Sequence, residues 1–177
     1  MSYPRLAGRL REIIGQPALT QKNPTLMRQL QKEYIAPPNE VISALELAAP
    51  KLGTRIVTDP DLDVLGEMTH DGTLLLSPRV VRSKARTIAH ELGHWEMAHR
   101  NAQDVPIWQT ELEAEAISHD VMNRLVPNLA DQHTNYSANW ISHQIWNPYR
   151  EDPVAYLQER TPLLQTVSDR IIRIAGM

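Results

Sequence analysis

The chain has 177 residues, a length that fits one domain. Apolar residues make up 42% of it but none is Phe, so Leu, Ile, Val, Met and the four Trp are expected to fill the core. A formal net charge of -3 and the lack of any cysteine exclude a globally basic nucleic-acid binder, a disulfide scaffold, thiolate metal ligands and a cysteine nucleophile.

Residues 1–40 hold six Lys or Arg against three Glu, a mild excess that more often solvates a helix face than grips nucleic acid. The opening "MSYPRLAGRLREIIG" lacks the apolar run of a secretion signal, and no stretch reaches the length of a membrane span. No membrane partner and a cytoplasmic location are therefore the expectation, which the absence of cysteine suits. Residues 1–38 read as an N-terminal helical arm and 39–177 as the main domain. Within the arm, "NPTLMRQLQKEYIAPPNE" is a short helix ended by Pro37-Pro38, after which Asn39 can cap "EVISALELAAPKLG".

β-branched "TRIVTDP" predicts a strand. "LDVLGEMTHDGTLLLSP" predicts two extended pieces joined at Asp71-Gly72, a favoured hairpin pair. Ser83 can cap a long helix reaching His99 or Arg100. Thr110 and Glu113 have the spacing of a capping box, opening a helix "ELEAEAISHDVMNRL" that stops near Pro127. "NYSANWISHQIW" predicts another helix. Asp152-Pro153 and Thr161-Pro162 each resemble a cap followed by proline at the first helical position, and Gly176 ends the last helix. Helices, a small sheet, then more helices predict an α+β fold, with a small, mostly antiparallel sheet against the Ser83 helix and further helices C-terminal.

That helix carries His90-Glu91-Leu92-Gly93-His94. Histidines four apart lie about 40° apart around a helix and one turn up, so both can reach one metal ion. Glu91, on the adjoining flank, is then placed to serve as general base, taking a proton from the attacking water and delivering it to the leaving amine. Thr87, His90, Glu91, His94 and Ala98 share about 100° of arc, while Ala85, Ile88, Leu92, Trp95 and His99 form a separate apolar stripe. His99 is thus expected to pack or hydrogen-bond without touching metal. On the next helix Glu111, Glu115, Ser118 and Met122 share a face, while Glu113 points away to serve the cap. Either Glu111 or Glu115 could complete the ligand set, and the other could accept a hydrogen bond from a ligating histidine. Gly93 would let the two helices approach closely. Tyr136, Trp140 and His143 read as helix packing, and His119 and His133 as solvent-facing.

The run from "GEMTHDGTLLLSP" through "RTIAHELGHWEMAH" to "ELEAEAISHDVMNRLVP" resembles the ImmA/IrrE group of zincin metallopeptidases. "ELEAE" with "NYSANWISHQIWNPYREDPVAYL" is also similar to the peptidase-like half of ArdC antirestriction proteins. Together these likenesses span about residues 40–165. The resemblance implies a zincin-like, HExxH metallopeptidase with a gluzincin-type site: zinc on His90, His94 and Glu111, Glu91 as catalytic base, and Glu115 as supporting partner or alternative ligand. It implies that "GTLLLS" is an edge strand receiving substrate in extended form, and that the substrate is a specific protein or peptide, such as a regulator tied to a mobile element or stress response. A catalytically weak module that sequesters a protein partner is the alternative. No strong nucleic-acid binding is implied, because the residues ahead of the hairpin leave no room for the DNA-binding module of ArdC proteins.

Overall fold

The computed structural model describes residues 2–15, 23–99, 104–145 and 152–176. Its helices are α1 (Tyr3–Ile14), α2 (Pro24–Glu33), α3 (Asn39–Lys51), α4 (Lys84–Glu96), α5 (Ile107–Leu125), α6 (Ala130–Trp140) and α7 (Pro153–Ala175). Between α3 and α4 lie β1 (Arg55–Thr58), β2 (Gly66–Met68) and β3 (Thr73–Leu76). The chain is α+β. No helix among the described residues is long and apolar enough to cross a membrane.

Short-range chemistry sets several of these boundaries. The Asn23 side chain accepts from the Leu26 amide just before Pro24 opens α2, and Asp152 accepts from Val154 before Pro153 opens α7. Gly176, at φ 74°, closes α7. At Thr161-Pro162 the expected break is absent, and α7 runs straight through. Buried Leu157, Leu164, Val167 and Ile171 continue one apolar stripe across the proline, and packing outweighs its local cost of about 3 kcal/mol. The Thr161 hydroxyl donates back to the Leu157 carbonyl instead of capping a new helix.

The sheet has the order β1-β3-β2, with β1 parallel and β2 antiparallel to β3. It is evenly mixed rather than mostly antiparallel, because β3 enters between two strands already laid down. The hairpin turns at Asp71-Gly72, where Gly72 takes φ 80°. The Asp71 carboxylate accepts from the Thr69 hydroxyl and the Thr73 amide, and these bonds draw its pKa down to about 2. "GTLLLS" is consequently the central strand. The edge on that side is β2.

One apolar core joins the sheet to α1, α3, α4, α5, α6 and α7, and a smaller cluster of Met27, Tyr34 and Tyr136 seats α2. Leu6 and Leu10 of α1, Leu45 of α3, Leu74 of β3, Leu92 of α4 and Ile117 of α5 belong to the larger core. The buried aromatics are Tyr3, Tyr34 and Tyr136, while Trp95, Trp108 and Trp140 are only partly buried, contrary to the expectation that tryptophans fill the interior. Their ring size suits the boundary between layers: Trp95 donates to the Leu52 carbonyl at 2.8 Å and lies over Gly72. Trp146 falls outside the described residues.

α4 is buried from Ala85 to His94. It packs on α5 at Gly93, where a Cβ would stand 3.3 Å from the Ala114 Cα and 3.4 Å from the Ile117 Cβ. On its other side Gly66 of β2 presses against it, and a Cβ there would fall 2.6 Å from the Thr87 methyl. Gly66→Ala should therefore cost about 1–3 kcal/mol through overpacking against a fixed helix. Gly8→Ala, whose added Cβ meets nothing within 4 Å, should gain about 0.5–1 kcal/mol. Urea unfolding midpoints of the two variants check both signs.

Candidate metal centre

His90 and His94 project from one face of α4, and Glu111 reaches the same point from the first turns of α5. His90 Nε2 and His94 Nε2 are 3.2 Å apart. Glu111 Oε2 lies 3.4 Å from the first and Oε1 3.2 Å from the second. A tetrahedral ion with bonds of about 2.0–2.1 Å needs ligand atoms about 3.3–3.4 Å apart, and each closest approach is near that value, the two to Glu111 being made by different carboxylate oxygens. These residues could hold a metal ion. Both histidines are buried, whereas Glu111 leaves 31% of its side chain exposed, so the convergence point opens on Glu111's side.

The outer nitrogens decide which lone pairs face that point. His90 Nδ1 lies 3.2 Å from Glu115 Oε2. Glu115 is fully buried, and it also accepts from Arg86. Burial works against its charge, but Arg86 and His90 draw its pKa down to about 2. It is a carboxylate acceptor, and His90 Nδ1 carries the proton. His94 Nδ1 sits 2.9 Å from His99 Nδ1, and His99 Nε2 sits 2.8 Å from Glu113 Oε2. The Glu113 carboxylate can only accept there, so His99 is protonated on Nε2 and His94 on Nδ1. Both Nε2 atoms and a carboxylate thus point at one place, an arrangement that a cation would satisfy, be it a proton or a metal ion. Without a metal ion, burial disfavours charge on His90 but hydrogen bonds to Glu111 and Glu115 raise its pKa to about 10, so at neutral pH a proton sits on Nε2 where a metal would displace it. For His94, burial prevails and lowers it to about 4. Glu111 is held well below the usual carboxylate range by the two histidines despite its burial.

Glu113 does not cap α5. The helix begins three residues ahead of Thr110, whose hydroxyl donates to the Ile107 carbonyl inside it. That places Glu113 in the interior, where Oε1 accepts from Tyr156 Oη at 2.8 Å and Arg160 Nε at 2.6 Å. His99 reaches this group because α4 ends early. Ala98 adopts φ 54° just past the end of α4 at Glu96, and His99 then lies against His94 and Glu113.

A cavity of about 690 Å³ fronts the site. His90, Glu91, His94 and Glu111 line it beside Gly66 and Glu67 of β2, with Met27 and Arg28 of α2 also contributing. Tyr136 and Trp140 line it too, so they do more than pack helices. The His90 and Trp140 rings meet edge-on at 5.4 Å, and the Arg86 guanidinium lies 4.2 Å above the Tyr136 ring. Arg86 escaped the sequence reading, although its spacing to His90 and His94 (i, i+4, i+8) marks the shared face. His119 and His133 are buried, not solvent-facing. His119 bonds Thr134 and Asn123, and His133 bonds the Tyr34 hydroxyl at 2.9 Å. Burial holds their pKa values near 3 and 4. His143 is buried as well.

Comparison with protein-family models, curated proteins and solved structures gives no match for this chain.

The chain of groups from His94 through His99 to Glu113 generates a specific expectation. Glu113→Gln should weaken divalent-metal affinity roughly 10–100-fold while circular dichroism stays native, because His94 loses the partner that fixes its tautomer. Competition against a chromophoric chelator measures it.

Proposed function

We propose that the chain is a zinc-dependent endopeptidase of the zincin type, similar to the ImmA/IrrE group, acting on a protein substrate that enters in extended form. The observation that carries this reading is the convergence of His90, His94 and Glu111, each pair approaching to 3.2–3.4 Å, beside a buried Glu91 that lines the same cavity. Two nitrogens and a carboxylate suit zinc. When bound there, zinc would polarise the scissile carbonyl and bring the pKa of water towards about 7.

The remaining work falls to the protein's own groups. β2 is the edge of the sheet and lines the cavity, so its outer side can take an extended segment as an added strand. Gly66 leaves room for the base: a Cβ there would stand 3.3 Å from Glu91 Cγ. Glu91 accepts a proton from the attacking water. As the peptide C–N bond breaks, it passes that proton to the departing amine, leaving a carboxylate and an amine as products. Glu115 and His99 hold the two imidazoles in the tautomers that expose Nε2. Arg86, buried between Glu115 and Tyr136, keeps Glu115 ionised.

Elemental analysis should find one zinc per chain in the wild type and in Glu91→Gln, and almost none in His94→Ala. Against a proteome-derived peptide mixture read by mass spectrometry, Glu91→Gln should lose roughly 10²–10⁴-fold in cleavage rate. A wild type without zinc, or a Glu91→Gln variant that cuts undiminished, would overturn the proposal. Zinc retained without any cleavage by the wild type would favour a partner-sequestering module.

A further inference from the structure

A second groove, of about 390 Å³, continues from the cleft and shares Arg28, Gln31, Leu65 and Arg79 with it. Lys32, Val81, Arg82 and Ser83 line the rest. Four of these eight residues are cations and none is an acid, in a chain whose acids outnumber its bases 21 to 18. All four cations are exposed.

Their hydrogen bonds go to neutral groups. Arg28 Nε donates to the Pro24 carbonyl at 3.3 Å. Arg79 is held at two points, by the Leu62 carbonyl at 2.5 Å and the Ser77 hydroxyl at 3.1 Å. Arg82 donates to the Lys32 carbonyl and so ties the end of α2 to the start of α4. Among the described residues none of the four forms an ion pair, whereas Arg9, Arg55, Lys84, Arg124, Arg160 and Arg170 each have a carboxylate partner. Like charges gathered in a groove whose own lining holds no acid repel one another, and an anionic ligand relieves that repulsion. Because backbone acceptors already hold the guanidiniums, less ordering is needed when a ligand arrives.

We infer that this groove receives an acidic stretch of the polypeptide whose neighbouring segment occupies the cleft, which makes Arg28, Lys32, Arg79 and Arg82 determinants of substrate choice. The inference rests on reading the cleft as a peptidase site. A polypeptide fits better than a nucleic acid for two reasons. The groove offers no aromatic ring for a base to stack on. The adjoining cleft presents Asp63, Glu67, Glu91 and Glu111, which repel a phosphate backbone but accept a peptide whose charge is confined to one end.

The test uses the full-length Glu91→Gln protein, its zinc content measured beforehand. Labelled peptides of one design carry a block of Glu, Gln or Lys, and an oligothymidylate of equal length serves as comparison. Fluorescence anisotropy at low salt should rank the Glu peptide at least roughly tenfold tighter than the Gln peptide, with the gap narrowing as salt rises. Arg79→Glu with Arg82→Glu should invert the preference towards the Lys peptide. Arg28→Glu with Lys32→Glu, on the exposed side of α2, should do the same without touching the Arg79 anchors. Equal binding of Glu and Gln peptides, no binding of the Glu peptide at millimolar concentration, or tighter binding of the oligothymidylate would overturn the inference. A wild type without zinc or cleavage, whose Glu91→Gln form still prefers the Glu peptide, would sink the peptidase reading alone.

Discussion

The whole site depends on how closely α4 and α5 approach. Glu111 meets the two histidines only because Gly93 leaves the Ala114 backbone free to come within van der Waals distance. The Ser118 hydroxyl fastens the same contact by donating to the Arg86 carbonyl at 2.9 Å. Even a Cβ at this crossing would meet Ala114 and Ile117 at 3.3–3.4 Å and press the helices apart by a few tenths of an ångström. The apolar packing that stabilises the molecule is thus also what sets the spacing of its polar centre.

Around that crossing, polar groups are buried in pairs that satisfy one another. Arg86 with Glu115, and Glu113 with His99, Tyr156 and Arg160, bring charge into the interior at a desolvation cost that apolar residues would avoid. Such groups add little to stability. They do fix the orientation of two imidazoles from opposite sides, one through α5 and one through the end of α4. By way of Tyr156 and Arg160, α7 is joined to His94 as well, so the C-terminal helix supports the centre although it supplies no candidate ligand.

Much of this was legible in the residues because it follows from helical periodicity. The spacing of His90 and His94 already allows one meeting point, while the choice of Glu111 over Glu115 came from the family resemblance; the turn at Asp71-Gly72, the cap at Asp152 and the stop at Gly176 are local chemistry. What escaped was decided by tertiary packing. β3 rather than β2 became the central strand because strand order is not written in either strand. Thr161-Pro162 failed to break α7 because the core on both sides holds it. Glu113 looked like a cap until the helix was seen to start at Ile107, and buried His119 and His133 carry no motif that separates them from surface histidines.

β2 spans only Gly66–Met68, and its shortness has a consequence. An edge of three residues presents too few backbone donors and acceptors for another sheet to template on, which guards this side of the sheet against edge-to-edge aggregation. The same brevity means that a visiting strand gains little from main-chain pairing. Under the peptidase reading, side-chain fit must then separate the right polypeptide from the many that could lie along so short a ledge.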